Sequence, residues 1–140
     1  MQRELSISAE TGIVVSNHGG RQLDGSCSSF DQLAEIVDEV GDRIDVLVDG
    51  GVHRGTHVLK ALSLGAKAVG VGRFYLFALA AAGRPGVARA LGIMRSEIER
   101  DMRLMGCSSI MQLSRGNLRF RTRSNLAGNV TSLGCVVGQT

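Results

Sequence analysis

The sequence predicts an α/β fold in which short parallel strands alternate with covering helices. Three observations predict it. The runs Gly12–Val15 and Ile44–Val48 are apolar, β-branched and of strand length. Segments with helical apolar spacing follow each run, and a glycine-bearing or polar loop falls at the carboxyl end of each strand.

The elements follow in order. After the first strand, Ser28 or Ser29 is placed to cap a helix on which Phe30, Leu33, Ala34, Val37 and Val40 keep the helical period, and Gly41 is placed to end it. The second strand runs into Asp49-Gly50-Gly51. A helix around Val58, Leu59 and Leu62 stops at Gly65, and a third strand passes through Val69 and Val71 to Gly72-Arg73. Leu76 to Ala82 then reads as a buried, alanine-rich helix. Pro85-Gly86 opens a longer one with a core stripe of Val87, Leu91, Met94, Ile98, Met102 and Met105, closed by Gly106. Ser108 is expected to cap a last short helix through Ile110, Met111 and Leu113. Residues 122–140, rich in Gly, Ser, Thr and Asn, are expected to form a flexible tail.

At 140 residues with 44% hydrophobic content, the chain has the size of one domain with a real core. Its formal charge is +3. Only Arg115, Arg119, Arg121 and Arg123 cluster, with Phe120 the sole interleaved aromatic, so no nucleic-acid partner is expected. The apolar stretch Ala68 to Ala82 is interrupted by Arg73 and is shorter than a bilayer needs, and the first residues lack a signal-peptide core, so neither a membrane span nor a targeting segment is expected. Cys27, Cys107 and Cys135 are odd in number and lack paired metal spacing. That fits reduced thiols and a cytoplasmic location better than a disulfide framework. His53 and His57 are four apart, but Gly55 lies between them and no acidic partner accompanies them, so no metal site is expected.

The densest chemical signal is Ser16-Asn17-His18-Gly19-Gly20-Arg21-Gln22-Leu23-Asp24. It sets an imidazole and a guanidinium three residues apart just beyond a strand. Imidazole exchanges protons near neutral pH, and the planar fork of arginine matches a carboxylate. The pair therefore suits chemistry on a small carboxylic acid. Two further loops, Asp49-Gly50-Gly51-Val52-His53-Arg54-Gly55 and Gly70-Val71-Gly72-Arg73, each lead from a strand into a helix. Backbone N–H groups at such turns cradle phosphate, and in β/α barrels the last two strand-end loops are the usual phosphate site.

These motifs resemble the carboxy-terminal part of the FMN-dependent α-hydroxy-acid oxidase and dehydrogenase family, over Gly12 to about Phe120. The resemblance is carried by Ser16–Asp24, by Val48-Asp49-Gly50-Gly51-Val52 with Arg54-Gly55-Thr56, by Lys60–Ala66 and by Gly70–Arg73. The first motif is the most specific; the later ones are shared with other phosphate-binding barrels. The resemblance implies a partial (β/α)8 TIM barrel made of the last three βα units, spanning residues 1–121, with FMN as cofactor. It implies His18 as the base that takes a proton while the α-carbon of a small L-2-hydroxy acid is oxidised. Arg21 matches the residue that grips the substrate carboxylate. Ser16, Asp49, Gly50, Gly51, His53, Arg54, Gly72 and Arg73 match flavin- or phosphate-contacting positions, and Gln22 and Asp24 match bracing positions. One departure stands out: relatives carry a leading Arg where this chain has His53, and neutral imidazole supplies a single donor with no fixed charge.

A full barrel has eight strands in about 250 residues, and three strands cannot close one. An open parallel edge is a liability in water. The remainder is expected from another chain, from a self-associated copy, or not at all. The chain is accordingly either a piece of an FMN-dependent hydroxy-acid oxidoreductase or a truncated, non-catalytic phosphate-binding or interaction module.

Overall fold

The computed structural model of the protein describes residues 11–22 and 25–119. Strands β1 (Gly12–Val15), β2 (Asp45–Val48) and β3 (Ala68–Val69) form one parallel sheet in that order. Gly12 pairs with Asp45 and Val15 with Val48, while Leu47 and Val48 pair with Ala68 and Val69. Helices α1 (Ser29–Val40) and α2 (Gly55–Ser63) make the crossovers, and α3 (Arg73–Leu104) follows β3. The sheet is parallel because each return to it runs through a helix.

Val15, Val46 and Val48 from the sheet meet Leu33 of α1, Ala61 of α2, and Leu64 and Ala66 beyond it in one core. Leu33 is fully buried, which contributes about 2 kcal/mol. Of the two candidate capping serines, Ser28 caps α1: its hydroxyl accepts from the Asp31 N–H at 3.1 Å, worth about 1 kcal/mol. Gly41 ends α1, as the sequence predicts, with right-handed backbone. Gly65 turns the chain after α2 at φ +108, and a β-carbon there would come within 2.7 Å of Val37 Cγ1.

The structure differs from the sequence reading in several places. The third strand stops at Val69, so Val71 lies outside it. The α3 span is broken at Ala82 (φ −151, ψ 24) and Gly83 (φ 57, ψ −145), which yields the two expected helical pieces. Pro85 falls in the first turn of the second piece, where its missing N–H is harmless. The first piece is not buried: Leu76, Phe77 and Leu79 are 46%, 66% and 46% exposed. Its composition suits a covering layer, and no other described element covers it. Along the second piece only Met94 of the predicted stripe is buried, while Leu91 and Met105 are exposed. The last helix is a 3-10 turn, Ile110–Gln112, capped by Ser109 and not Ser108, because the Ser109 hydroxyl is the one that accepts from Met111 N–H. Cys107 is a buried free thiol, whereas Cys27 is disulfide-bonded. That corrects the expectation of reduced thiols at Cys27; an odd count leaves room for one pair.

By length and composition α3 passes for a membrane span. The break divides it, however, and its first piece, about nine residues or roughly 14 Å, falls far short of the ~30 Å hydrocarbon layer. The second piece carries Arg84, Arg89, Arg95, Glu97, Glu99, Arg100, Asp101 and Arg103. The tail, residues 122–140, and Asp24 lie outside the described residues.

Candidate functional site

The site is assembled at the carboxyl ends of the three strands. Beyond β1 the chain makes a 3-10 turn, His18–Gly20, in which three consecutive residues are left-handed: His18 at φ 52, Gly19 at φ 68 and Gly20 at φ 78. A non-glycine residue there is sparsely populated and marks functional or strained sites. Two side chains hold the turn. The Ser16 hydroxyl accepts from His18 N–H at 3.1 Å, and Asn17 Oδ1 accepts from Gly19 N–H at 2.9 Å.

Beyond β2, Gly50 and Gly51 are left-handed at φ 99 and φ 70. Gly50 lies against the first loop: a β-carbon there would sit 3.2 Å from Ser29 Oγ and 3.4 Å from Asn17 Oδ1. Beyond β3, Gly72 starts α3 without a side-chain cap. The helix therefore offers its first N–H groups to an anion. The Arg73 guanidinium lies over the first loop, so close that a β-carbon on Gly19 would stand 2.7 Å from its terminal nitrogen.

These loops enclose one cleft of about 280 Å3, lined by His18, Gly19, Asp49 to His53, Gly70, Gly72, Arg73 and Leu76. Small-molecule sites occupy about 300–1,000 Å3, so the cleft suits part of a mononucleotide. Its chemistry fits the phosphate and hydroxyl groups of FMN. Asp49 Oδ1 is buried without a hydrogen-bond partner, a position that calls for a donor. Among the described residues Arg73 meets no carboxylate, and the N–H groups of Gly51, Val52 and Gly72 meet no backbone acceptor.

The structure thus brings His18, Asp49, Gly50, Gly51, His53, Gly72 and Arg73 to one cleft. It does not bring every predicted residue there. Ser16 acts from behind, through the His18 amide. Arg21 is exposed and does not line the cleft. Arg54 turns to α3, where its Nε donates to Glu97 Oε1 at 2.8 Å. That contact holds the Glu97 carboxyl below the usual carboxylate range, helped by the Gly55 N–H, and raises Arg54.

Sequence reasoning missed Asn17, whose signal was available: an Asn before His-Gly-Gly at a strand end favours a side-chain-closed turn. It also missed Glu97, which lies 43 residues from Arg54 and carries no local signal. A second cavity, about 610 Å3, lies between α1, α2 and the end of α3. None of the sequence-predicted site residues lines it. Among the described residues, no group of three or more His, Cys, Asp or Glu could hold a metal ion.

A family profile described as FMN-dependent dehydrogenase matches residues 4–120. An "L-lactate dehydrogenase (cytochrome)" of Saccharomyces cerevisiae is 53% identical over 108 residues, covering 74% of this chain and 18% of that protein. A "Peroxisomal (S)-2-hydroxyacid oxidase" of Arabidopsis thaliana is 50% identical over 108 residues, covering 77% of this chain and 30% of that protein. Among solved structures, a flavocytochrome b2 mutant with pyruvate bound superposes with a TM-score of 0.76 at 48% identity, over 86% of this chain and 32% of that one. A mandelate oxidase with benzoyl-formic acid gives 0.72 at 51% identity, over 75% and 31%. The chain spans less than a third of the length of these two curated relatives.

Proposed function

The chain belongs to the FMN-dependent dehydrogenase family, and from that premise we propose that it supplies the cofactor cradle and the proton-accepting histidine for oxidation of a small L-2-hydroxy acid to the 2-oxo acid. The observation that carries this reading is the shared cleft: His18 opens onto the same space as the Asp49-Gly50-Gly51 loop and Arg73. In this reading Arg73 and the amino terminus of α3 bind the phosphate of FMN, with charge-assisted hydrogen bonds from the guanidinium. Asp49 Oδ1 accepts from a cofactor hydroxyl, which satisfies its buried lone pair. Gly50 and Gly51 let the backbone approach closely.

Bound FMN supplies the two-electron acceptor. His18 Nε2 or Nδ1 takes a proton from the substrate as the α-carbon is oxidised, and the Ser16 and Asn17 side chains hold the turn that aims it. Arg21 grips the substrate carboxylate with its planar fork. The exposed face of α3 around Phe77 and the outer edge of β1 are the surfaces that the remaining barrel units would cover.

A second reading, a non-catalytic FMN- or phosphate-binding fragment, is favoured by one observation: Arg21 stands outside the cleft lining. One experiment separates the two. The purified chain is mixed with FMN, and its visible absorption is recorded before and after adding L-lactate or glycolate without oxygen. Retained flavin that bleaches supports the enzyme; retained flavin that never bleaches supports the fragment. A colourless protein rejects the cradle.

A further inference from the structure

The loop between β2 and α2 carries two adjacent basic-type side chains, His53 and Arg54, and the structure divides them. His53 lines the cleft, while Arg54 is held by Glu97 of α3. Glu97 does two things at once. Its Oε1 accepts from Arg54 Nε and its Oε2 from Gly55 N–H, both at 2.8 Å. Arg54 is the N-cap position of α2 and makes no side-chain capping bond of its own, so a residue from another helix performs that capping. The Glu97 side chain is 13% exposed and that of Arg54 62%, so the carboxylate is the fixed partner of the pair, and a hydrogen bond between ionised groups is stronger than a neutral one. The backbone fit is equally close: a β-carbon on Gly55 would come within 2.7 Å of Glu97 Cβ and of Ile98 N. On the other side of the loop, His53 N–H donates to His57 Nδ1 at 3.3 Å. The segment 53–55 is therefore pinned from both flanks, with His53 toward the cleft and Arg54 away from it.

We infer that Glu97 is a positioning residue that selects which side chain of this loop meets the anion, withdrawing Arg54 to α3 and leaving His53 as the loop's side-chain donor to phosphate. This rests on the proposed cofactor cradle. It explains how the chain tolerates an imidazole where relatives carry a leading arginine: the second basic residue does not replace it, because the carboxylate of Glu97 holds it. It also makes the anion selectivity of the cleft depend on a residue outside the cleft.

The test compares FMN with riboflavin, which lacks the phosphate, by flavin-fluorescence titration of the full 140-residue chain; the ratio of the two affinities reads the phosphate contact alone. Removing one charge-assisted or hydrogen-bonded contact lowers such a ratio about tenfold. His53→Ala is expected to lower the ratio by several-fold up to about tenfold, and Arg54→Ala to leave it unchanged. Glu97→Gln keeps an acceptor for Gly55 N–H but loses the charge that holds Arg54. It is expected to raise the ratio several-fold, a gain that Glu97→Gln with Arg54→Ala removes. A merely structural glutamate would weaken both flavins equally and leave the ratio still; that result overturns the inference, as does a loss of ratio in Arg54→Ala equal to that in His53→Ala. Wild-type protein that binds FMN no better than riboflavin rejects the cradle itself and this inference with it. Thermal melting of each variant identifies any that fail to fold, and where Glu97→Gln fails, the comparison of His53→Ala with Arg54→Ala decides as stated.

Discussion

The terminal guanidinium nitrogen of Arg73 lies so near Gly19 that a β-carbon on that glycine would stand 2.7 Å from it. Two loops far apart in sequence, one after β1 and one after β3, thus share a single wall of the cleft. Gly19 also has φ 68, so a side chain there meets both backbone strain and the arginine.

Gly19→Ala is expected to destabilise the chain by about 1–2 kcal/mol, from left-handed backbone alone, and to push the flexible end of Arg73 out of the cleft. The check is paired: urea unfolding for the first effect and FMN titration for the second, with affinity falling about tenfold for the lost charge-assisted contact. Unchanged affinity would place the bound anion elsewhere.

In a complete barrel containing this segment, His18→Gln is expected to abolish substrate-driven flavin reduction while flavin stays bound. Stopped-flow bleaching under nitrogen measures it, and an undiminished rate rejects the proton-accepting role.

Arg21→Lys in the same context is expected to raise KM and lower kcat together, because a point charge cannot reproduce a two-pronged grip. Steady-state kinetics that move only one constant would assign Arg21 to binding or to turnover, but not to both.

Leu33 of α1 is fully buried in the core it shares with the sheet, Ala61 and Leu64. Leu33→Ala is expected to cost about 2–5 kcal/mol, read as a lowered denaturation midpoint with an unchanged slope.

Acid should loosen two tertiary ties. Arg115 holds the Asp38 carboxyl below its ordinary range by hydrogen bonds, at 2.6 and 3.0 Å, and Arg54 does the same to Glu97. A carboxyl with a depressed folded value contributes stability that is complete above its unfolded value, about 4 for these side chains, and is lost as pH falls through the folded value. The unfolding midpoint is therefore expected to drop below about pH 4, and less steeply in Asp38→Asn.

The sequence spoke clearly where a signal is local. Gly12–Val15, the α1 helix and a serine cap at 28 or 29 follow from apolar spacing and a hydroxyl at the right offset, and the structure matches them with Ser28 as the cap. His18 and the glycine loops were legible because their chemistry and their backbone demands coincide in a few residues. Burial was less legible. Phe77 and Leu79 have core composition, but whether they are covered depends on what packs against them, which spacing along one helix does not encode. The same limit hid the orientation of Arg54: its partner lies on another helix, and no local pattern distinguishes an arginine aimed at phosphate from one tied to a distant carboxylate.

The interruption at Ala82 and Gly83 makes α3 two rods with a joint between them. The front rod begins at the cleft with Arg73, and the rear rod is fastened to α2 through Glu97 and anchored by buried Met94. At the joint Gly83 holds φ 57 and ψ −145, backbone that glycine adopts freely and other residues only under strain, so the angle between the rods is tied to a glycine at that position.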